Sequence, residues 1–229
     1  MNLSRNQRRK QGKRNPIVIS TAELKQLLEP LLDELSDSCA EGCLDQFILF
    51  IELLHKWNQT YNLTSVRDMR QMLPRHILDS LVIRPYLQGD QILDVGSGAG
   101  LPGIPLAIAE PQRQFTLVDS SSKKTRFMQQ AIHELELDNV TVVHERIENF
   151  NPANGFDTIV ARAYSSIETL MTGVTHCLNI QTRILAMKGT YPLAELEYIT
   201  KGFNLLAVER LTVPGMDAER HLVILERHA

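Results

Sequence analysis

Cysteine is scarce in this chain: Cys39, Cys43 and Cys177 are the three among 229 residues. An odd number closes no complete disulfide framework, and no C-x-x-C pair offers a metal clip, so idle reduced thiols are expected. Also missing is any apolar run near the roughly 18 residues that a membrane span needs. The first residues hold no apolar secretory segment either, since Arg5, Arg8, Arg9, Lys10, Lys13 and Arg14 stand among polar neighbours. Neither sign of charge dominates. The 24 basic and 27 acidic side chains leave a net −3, which argues against a surface that attracts polyanions everywhere. What is present is ordinary for a folded protein, 43% hydrophobic and 22% charged residues, so disordered and fibrous classes are excluded. The expectation is a cytoplasmic protein without metal or membrane contact, long enough to bury a core without staples.

Charge is nevertheless unevenly placed, because residues 1–15 carry six basic side chains and no acidic one. Residues 1–19 are expected to be a disordered basic arm, either a solvated tail or a segment that touches phosphate. From Ser20 the pattern turns helical. Ser20 and Glu23 have the spacing of a capping box, and Leu24, Leu27, Leu28, Leu31, Leu32 and Leu35 follow at helical intervals. A second helix is expected over Leu44–Trp57 and a third over Met69–Val82, so residues 20–88 form a helical cap.

Residues 89–229 change character. Apolar strand-like runs at Gln91–Val95, Phe115–Val118, Val140–Val143, Phe156–Ala161 and Thr182–Lys188 alternate with amphipathic segments near Ile104–Glu110, Lys123–Leu135, Ile167–Leu178 and Leu193–Lys201. That alternation predicts an α/β fold, a parallel sheet covered by helices on both faces. The runs Phe203–Leu211 and Leu222–Glu226 have no helix between them and predict an antiparallel hairpin at one end of the sheet. A parallel sheet closed by a late antiparallel hairpin is the Rossmann-like variation of class I methyltransferases dependent on S-adenosylmethionine.

The sharpest local feature runs from Ile92 to Gly103, where a strand ending in Asp94 and Val95 leads into Gly96, Gly98 and Gly100 and then a helix. Alternating glycines let a ligand lie against bare backbone, and the helix N-terminus then faces it. Gly98, Gly100 and Gly103 satisfy the dinucleotide G-x-G-x-x-G pattern, which alone is weak. That register leaves Asp94 and Gly96 without a reason, whereas the D-x-G-x-G-x-G register uses all four residues. It suits S-adenosylmethionine, whose ammonium an acidic strand end can help hold, while Asp94 would repel a pyrophosphate. A nicotinamide-dependent oxidoreductase remains the alternative at this point.

Asp119 ends the second strand and is placed to accept from ribose hydroxyls, or to cap a helix. After the third strand come Arg146, Ile147 and Glu148, where Ile147 could pack on a purine and Glu148 accept from its amino group, or the stretch could be a plain surface turn. The fourth strand runs into Arg162, Ala163 and Tyr164, at the sheet edge where the acceptor arrives. No Asn/Asp-Pro-Pro-aromatic turn occurs there, which disfavours exocyclic adenine amines. No cysteine stands near, which disfavours covalent attack on pyrimidine carbon. A ring nitrogen, a hydroxyl or another carbon remains.

Several blocks, in order, resemble the glucose-inhibited division protein B family, which methylates guanine N7 in bacterial 16S ribosomal RNA. They are Lys56-Trp57-Asn58 with Tyr61-Asn62-Leu63-Thr64, Arg75-His76-Ile77-Leu78-Asp79-Ser80, the Asp94–Pro105 loop, Arg162-Ala163, Lys188-Gly189 and Glu219-Arg220-His221. The resemblance covers residues 43 to 227 and implies a class I fold with an N-terminal helical cap. It implies S-adenosylmethionine contacts at Gly96, Leu101, Ile147, Glu148 and Arg162, and a substrate of 16S rRNA, the small subunit or an assembly intermediate. A monomer is expected. A non-catalytic assembly factor that keeps the cofactor pocket is the alternative from another class. For N7, an in-plane lone pair with no proton to lose, no general base is needed and catalysis is positioning, here by Arg162, Lys188 and Tyr164. Candidate RNA contacts are Arg75, His76, Arg146, Lys188 and Arg220, with Lys56, Arg67 and Arg70 as further basic groups and Tyr164 as a stacking surface for a splayed base.

Overall fold

A computed structural model describes residues 19–35, 42–199 and 202–227. The basic arm, apart from Ile19, and Cys39 lie outside the described residues. Helix α1 (Thr21–Asp33) starts where the capping pattern places it, with Ser20 Oγ accepting from the Glu23 N–H at 3.2 Å. The reciprocal half of the box is absent, because the Glu23 carboxylate is drawn to Arg70 at 2.8 Å. Helix α2 (Cys43–Tyr61) runs four residues beyond the expected Trp57 and ends at Asn62 in a left-handed conformation. Asn58 explains the turn that follows. Its side chain is buried, donates to Val66 O at 3.0 Å and accepts from the Thr64 N–H at 2.9 Å.

The single helix expected over Met69–Val82 is three pieces: α3 (Met69–Met72), a π-helix (Leu73–Leu78) and α4 (Asp79–Leu81). Pro74 has no N–H to give to an α-helical ladder, so the backbone there takes the wider turn. Amphipathic spacing carries no mark of such a change, since the buried residues Met72, Leu73, Ile77 and Leu78 satisfy either winding.

The sheet has seven strands, β1 (Gln91–Val95), β2 (Gln114–Asp119), β3 (Val140–His144), β4 (Phe156–Arg162), β5 (Leu178–Lys188), β6 (Phe203–Arg210) and β7 (His221–Arg227). Their order is β3-β2-β1-β4-β5-β7-β6. The first five pair in parallel, and β7 lies antiparallel to both β5 and β6. Helices α5 (Gly103–Ala109), α6 (Ser122–Glu134) and α7 (Ile167–Val174) make the crossovers, with a short α8 (Leu193–Leu196) after β5. The helix expected to reach Leu178 stops at Val174 because β5 starts four residues before the expected Thr182. The one expected over Leu193–Lys201 closes after a single turn.

Side chains alternate across the sheet as period-two strands require. Ile92 joins a core shared by α1, α2, α5 and α6, while Leu93 and Val95 join a second core against α7. The cap helices therefore cover a sheet face. Fully buried Phe127 of α6 meets the α2 rings of Trp57, at 5.7 Å between centroids, and Phe50, at 6.1 Å. Because β7 runs backwards, its start lies beside the end of β5, with His221 opposite Lys188. Arg220 thereby arrives at the same edge as Arg162 and Lys188.

Phe127→Ala should cost about 3–5 kcal/mol, the usual loss for truncating a buried aromatic. Trp57 is the sole tryptophan, so its fluorescence reports on the cap. Melts followed by Trp57 fluorescence and by far-ultraviolet circular dichroism should coincide in the wild type. An earlier fluorescence transition would mean that the cap unfolds separately.

Candidate active site at the carboxyl edge of the sheet

The glycine loop leaves β1 with Gly96 at φ +69°, a left-handed conformation that other residues rarely adopt, and its N–H bonds to Val118 O at 2.8 Å. The loop is held from beneath by Asp94, 0% exposed, whose Oδ2 accepts from the Gly103 N–H at the start of α5 at 2.9 Å. Gly103 must lack a side chain, since a Cβ would stand 2.7 Å from that same oxygen. Asp94 Oδ1 is buried without a partner among the described residues. Burial pushes the carboxyl up to about 7, against the opposing pull of the Gly103 and Ser97 hydrogen bonds and the Arg162 charge. Asp94 thus caps α5 under the loop instead of reaching into the cavity as expected, and its direction toward α5 is the reason. Leu101 is likewise turned into the core on the cap side.

Asp119 faces two ways. Its Oδ1 accepts from the Ser121 N–H at 2.8 Å, and its Oδ2 accepts from the Gly98 N–H at 2.9 Å and from Lys124 Nζ at 3.4 Å. It ties the loop to the start of α6 and still borders a cavity of about 310 Å³. Its other walls include Gly96, Lys124, the segment from Glu145 to Glu148, and the segment from Arg162 to Ser165. Ile147 supplies a buried apolar surface there and Glu148 an exposed carboxylate. Tyr164 packs over the loop, so that a Cβ on Gly96 would come 3.4 Å from its ring. Burial, helped by the Glu148 charge, raises the Tyr164 pKa and keeps its hydroxyl protonated. Tyr164 and Arg146 both line this cavity and not the basic pocket beside it, contrary to the RNA-facing roles expected for them.

That second pocket, about 380 Å³, shares Arg162 and Ala163 with the first. Ala163 sits at φ +55°, a strained conformation that turns the chain between the two cavities. Arg75, Arg162, Lys188 and Arg220 line the pocket together with one carboxylate, Asp79. Asp79, 3% exposed, accepts from Arg162 Nη1 at 3.1 Å through one oxygen and from Arg220 Nε at 2.7 Å through the other. Arg162 Nη1 also donates to Arg75 O at 3.1 Å, a carbonyl of the π-helix. Lys188 Nζ donates to Glu195 at 2.8 Å, and the Arg75 side chain is exposed.

His76 is present but is not a cation. Its ring is buried, with Nε2 at 3.0 Å from Thr64 Oγ1 and Nδ1 at 2.9 Å from Arg75 O. Burial, reinforced by the Arg162 charge, lowers its pKa to about 4, so at neutral pH it cannot serve as the phosphate contact expected of it. Arg67 is spent on Asn58 O and Arg70 on Glu23, and neither they nor Lys56 line the pocket. Sequence reading missed Asp79, Lys124 and Ala163. Asp79 lay inside a family block, and only its spatial meeting with two arginines reveals a task.

These residues fit an adenosine-bearing cofactor. Asp119 keeps unused lone pairs for ribose hydroxyls, Ile147 offers an apolar face for a purine, and the loop at Gly96 exposes backbone. Among the described residues no cluster of three or more His, Cys, Asp or Glu could hold a metal, and no helix is long and apolar enough to cross a membrane.

A sequence model of the family described as rRNA small subunit methyltransferase G matches residues 43–223. A ribosomal RNA small subunit methyltransferase G from Idiomarina loihiensis is 43% identical over 206 residues, covering 90% of this chain and 100% of that protein. One from Escherichia fergusonii is 45% identical over 199 residues, covering 87% of this chain and 96% of that one. Among solved structures, an S-adenosylmethionine-dependent methyltransferase from Aquifex aeolicus superposes with a TM-score of 0.55 at 17% identity, over 69% of this chain and 93% of its own. That likeness establishes the class I fold.

Two substitutions test the loop. Asp119→Ala should weaken binding of S-adenosylhomocysteine, measured by calorimetry, by about 1–3 kcal/mol, and unchanged affinity would place the ribose elsewhere. Asp94→Asn removes a carboxyl whose pKa is raised by folding. The wild type binds more protons folded than unfolded between about pH 4 and 7, so that group's ionisation makes stability fall as pH rises. The Tm difference should therefore shift in favour of Asp94→Asn between pH 4.5 and 8.5. A difference that is constant with pH would mean that Asp94 does not titrate there.

Proposed function

Because the chain belongs to the rRNA small subunit methyltransferase G family, we propose that it transfers a methyl group from S-adenosylmethionine to N7 of a guanosine in 16S rRNA. The observation that carries this reading is the shared wall of the two cavities. Arg162 and Ala163 border both the site that fits the adenosine cofactor and a pocket with four basic side chains. The cofactor is the methyl donor and not a dinucleotide, in keeping with the relatives. When bound, it supplies an electrophilic methyl on a sulfonium that leaves readily.

The chain's own residues have only to bind and orient. Asp119, Ile147, Glu148 and the backbone at Gly96 hold the nucleoside end, and Tyr164 closes over the loop. Arg75, Lys188 and Arg220 draw RNA phosphate to the second pocket, while Arg162, fixed by Asp79, sets the approach between the two sites. The two groups of that pocket that could act as a base are both committed. His76 is buried between Thr64 and Arg75 O, and Asp79 is engaged by two guanidiniums. An acceptor with a lone pair and no proton to lose suits such a site, and guanine N7, the acceptor that the family resemblance implies, is of that kind. Direct in-line transfer then rests on proximity and a preorganised field. We place the enzyme in the bacterial cytoplasm, acting as a monomer, with 16S rRNA, the small subunit or its assembly intermediate as substrate.

The deciding experiment is tritiated methyl incorporation into ribosomal RNA, and into small subunits, from cells lacking this protein. Label should enter small-subunit RNA and be released as 7-methylguanine. Absence of incorporation would favour a non-catalytic assembly factor, and label on an exocyclic amine would refute N7. With enzyme in excess, the pH profile between about 6 and 9 should be the same for His76→Gln and Tyr164→Phe as for the wild type. A steep limb lost in either variant would mean a deprotonating mechanism.

A further inference from the structure

The segment that follows β5 exposes large apolar side chains next to the basic pocket. Leu193 is 69% exposed, Tyr198 59% and Tyr191 51%. Of the three, Tyr191 is the one that contacts place beside that pocket. Its position is fixed by its neighbours. Gly189, two residues before Tyr191, lines the basic pocket, as does Arg220. The Tyr191 ring stands edge-on to His221, the residue after Arg220, with centroids 5.4 Å apart and planes at 88°. His221 lies opposite Lys188 across the β5–β7 ladder. Tyr191 therefore stands on the rim of the pocket, between two of the elements that form it.

The segment is also tied down. Glu195 accepts from Lys188 Nζ at 2.8 Å and, through the same oxygen, from the Ile167 N–H at the start of α7 at 2.8 Å. A half-exposed aromatic ring on an anchored segment, beside a pocket of four cations, matches a chain of alternating phosphates and bases. Arginine and lysine take the phosphates, and the ring takes a base, which every nucleotide can offer.

We infer that Tyr191 is a stacking platform for an unpaired nucleotide of the RNA substrate, next to the methylated guanosine. This inference rests on the function proposed above. Extrusion of a target base leaves its neighbours unstacked, and a ring at the rim of the acceptor pocket replaces the lost contact.

The test uses the full chain and a small-subunit rRNA transcript with 2-aminopurine placed beside the mapped guanosine. Wild-type protein should quench or shift the 2-aminopurine emission. Tyr191→Ala should weaken transcript binding about tenfold or more, the usual effect of losing one base–aromatic stack, and abolish the emission change. Tyr191→Phe should retain both. Tyr191→Leu, which keeps apolar bulk without a ring, should behave as Ala does, so a loss caused by misfolding is separated from loss of the ring. S-adenosylhomocysteine affinity and Tm should stay at wild-type values throughout. Transcript binding by Tyr191→Ala within twofold of the wild type overturns the inference. So does a defect seen only with intact small subunits, which would assign the surface to a ribosomal protein. If the wild type binds S-adenosylhomocysteine but methylates neither the transcript nor small subunits from cells lacking this protein, the proposed function has failed, a result distinct from a failure at Tyr191 alone.

Discussion

One buried carboxylate organises the basic pocket at the carboxyl edge of the sheet. Asp79 closes the π-helix of the cap and holds Arg162 from the end of β4 and Arg220 from the approach to β7. Without its charge the two guanidiniums would repel each other at the distance the fold imposes. Such a buried ion triad is a poor source of stability, because desolvation offsets much of the attraction. Its effect is geometric. It fixes two cations, and through Arg162 a third contact to Arg75 O, against a wall that both cavities share.

The cavity beside the glycine loop depends on a similar economy of carboxylates. Asp94 and Asp119 end adjacent strands, but only Asp119 borders the cavity. Asp94 is turned toward α5 and anchors the loop from below, whereas Asp119 anchors it from the side through Gly98. Two acids that look equivalent in sequence thus divide into a hidden support and a cavity-facing group. The difference lies in which helix start each meets.

Chemistry and fold agree at this edge. The only histidine of the basic pocket is buried, neutral and committed at both ring nitrogens. A site built to abstract a proton would keep such a ring free and near its ordinary pKa. A site that merely brings a lone pair to a methyl group has no such need, and it can use the histidine to brace the π-helix against the turn at Thr64.

Sequence alone determined the alternation of strands and helices, the late hairpin, the helical cap and the identity of the glycine loop. Each is written in local periodicity or in glycines whose backbone conformation other residues rarely adopt, as at Gly96. It also marked Asp119, Ile147, Glu148 and Arg162, because they follow strand ends and all strand ends of a parallel sheet face one way. What only the tertiary structure decided is direction and company. The π-helix is invisible to amphipathic spacing, since Leu73, Ile77 and Leu78 are buried in either winding. Asp94 and Leu101 point away from the cavity, Tyr164 and Arg146 line it and not the basic pocket, and His76 loses its charge through burial. Asp79, Arg162 and Arg220 are far apart in the chain and meet because the cap packs on the sheet and β7 runs antiparallel beside β5. Such meetings are set by long-range packing, of which no local pattern keeps a record.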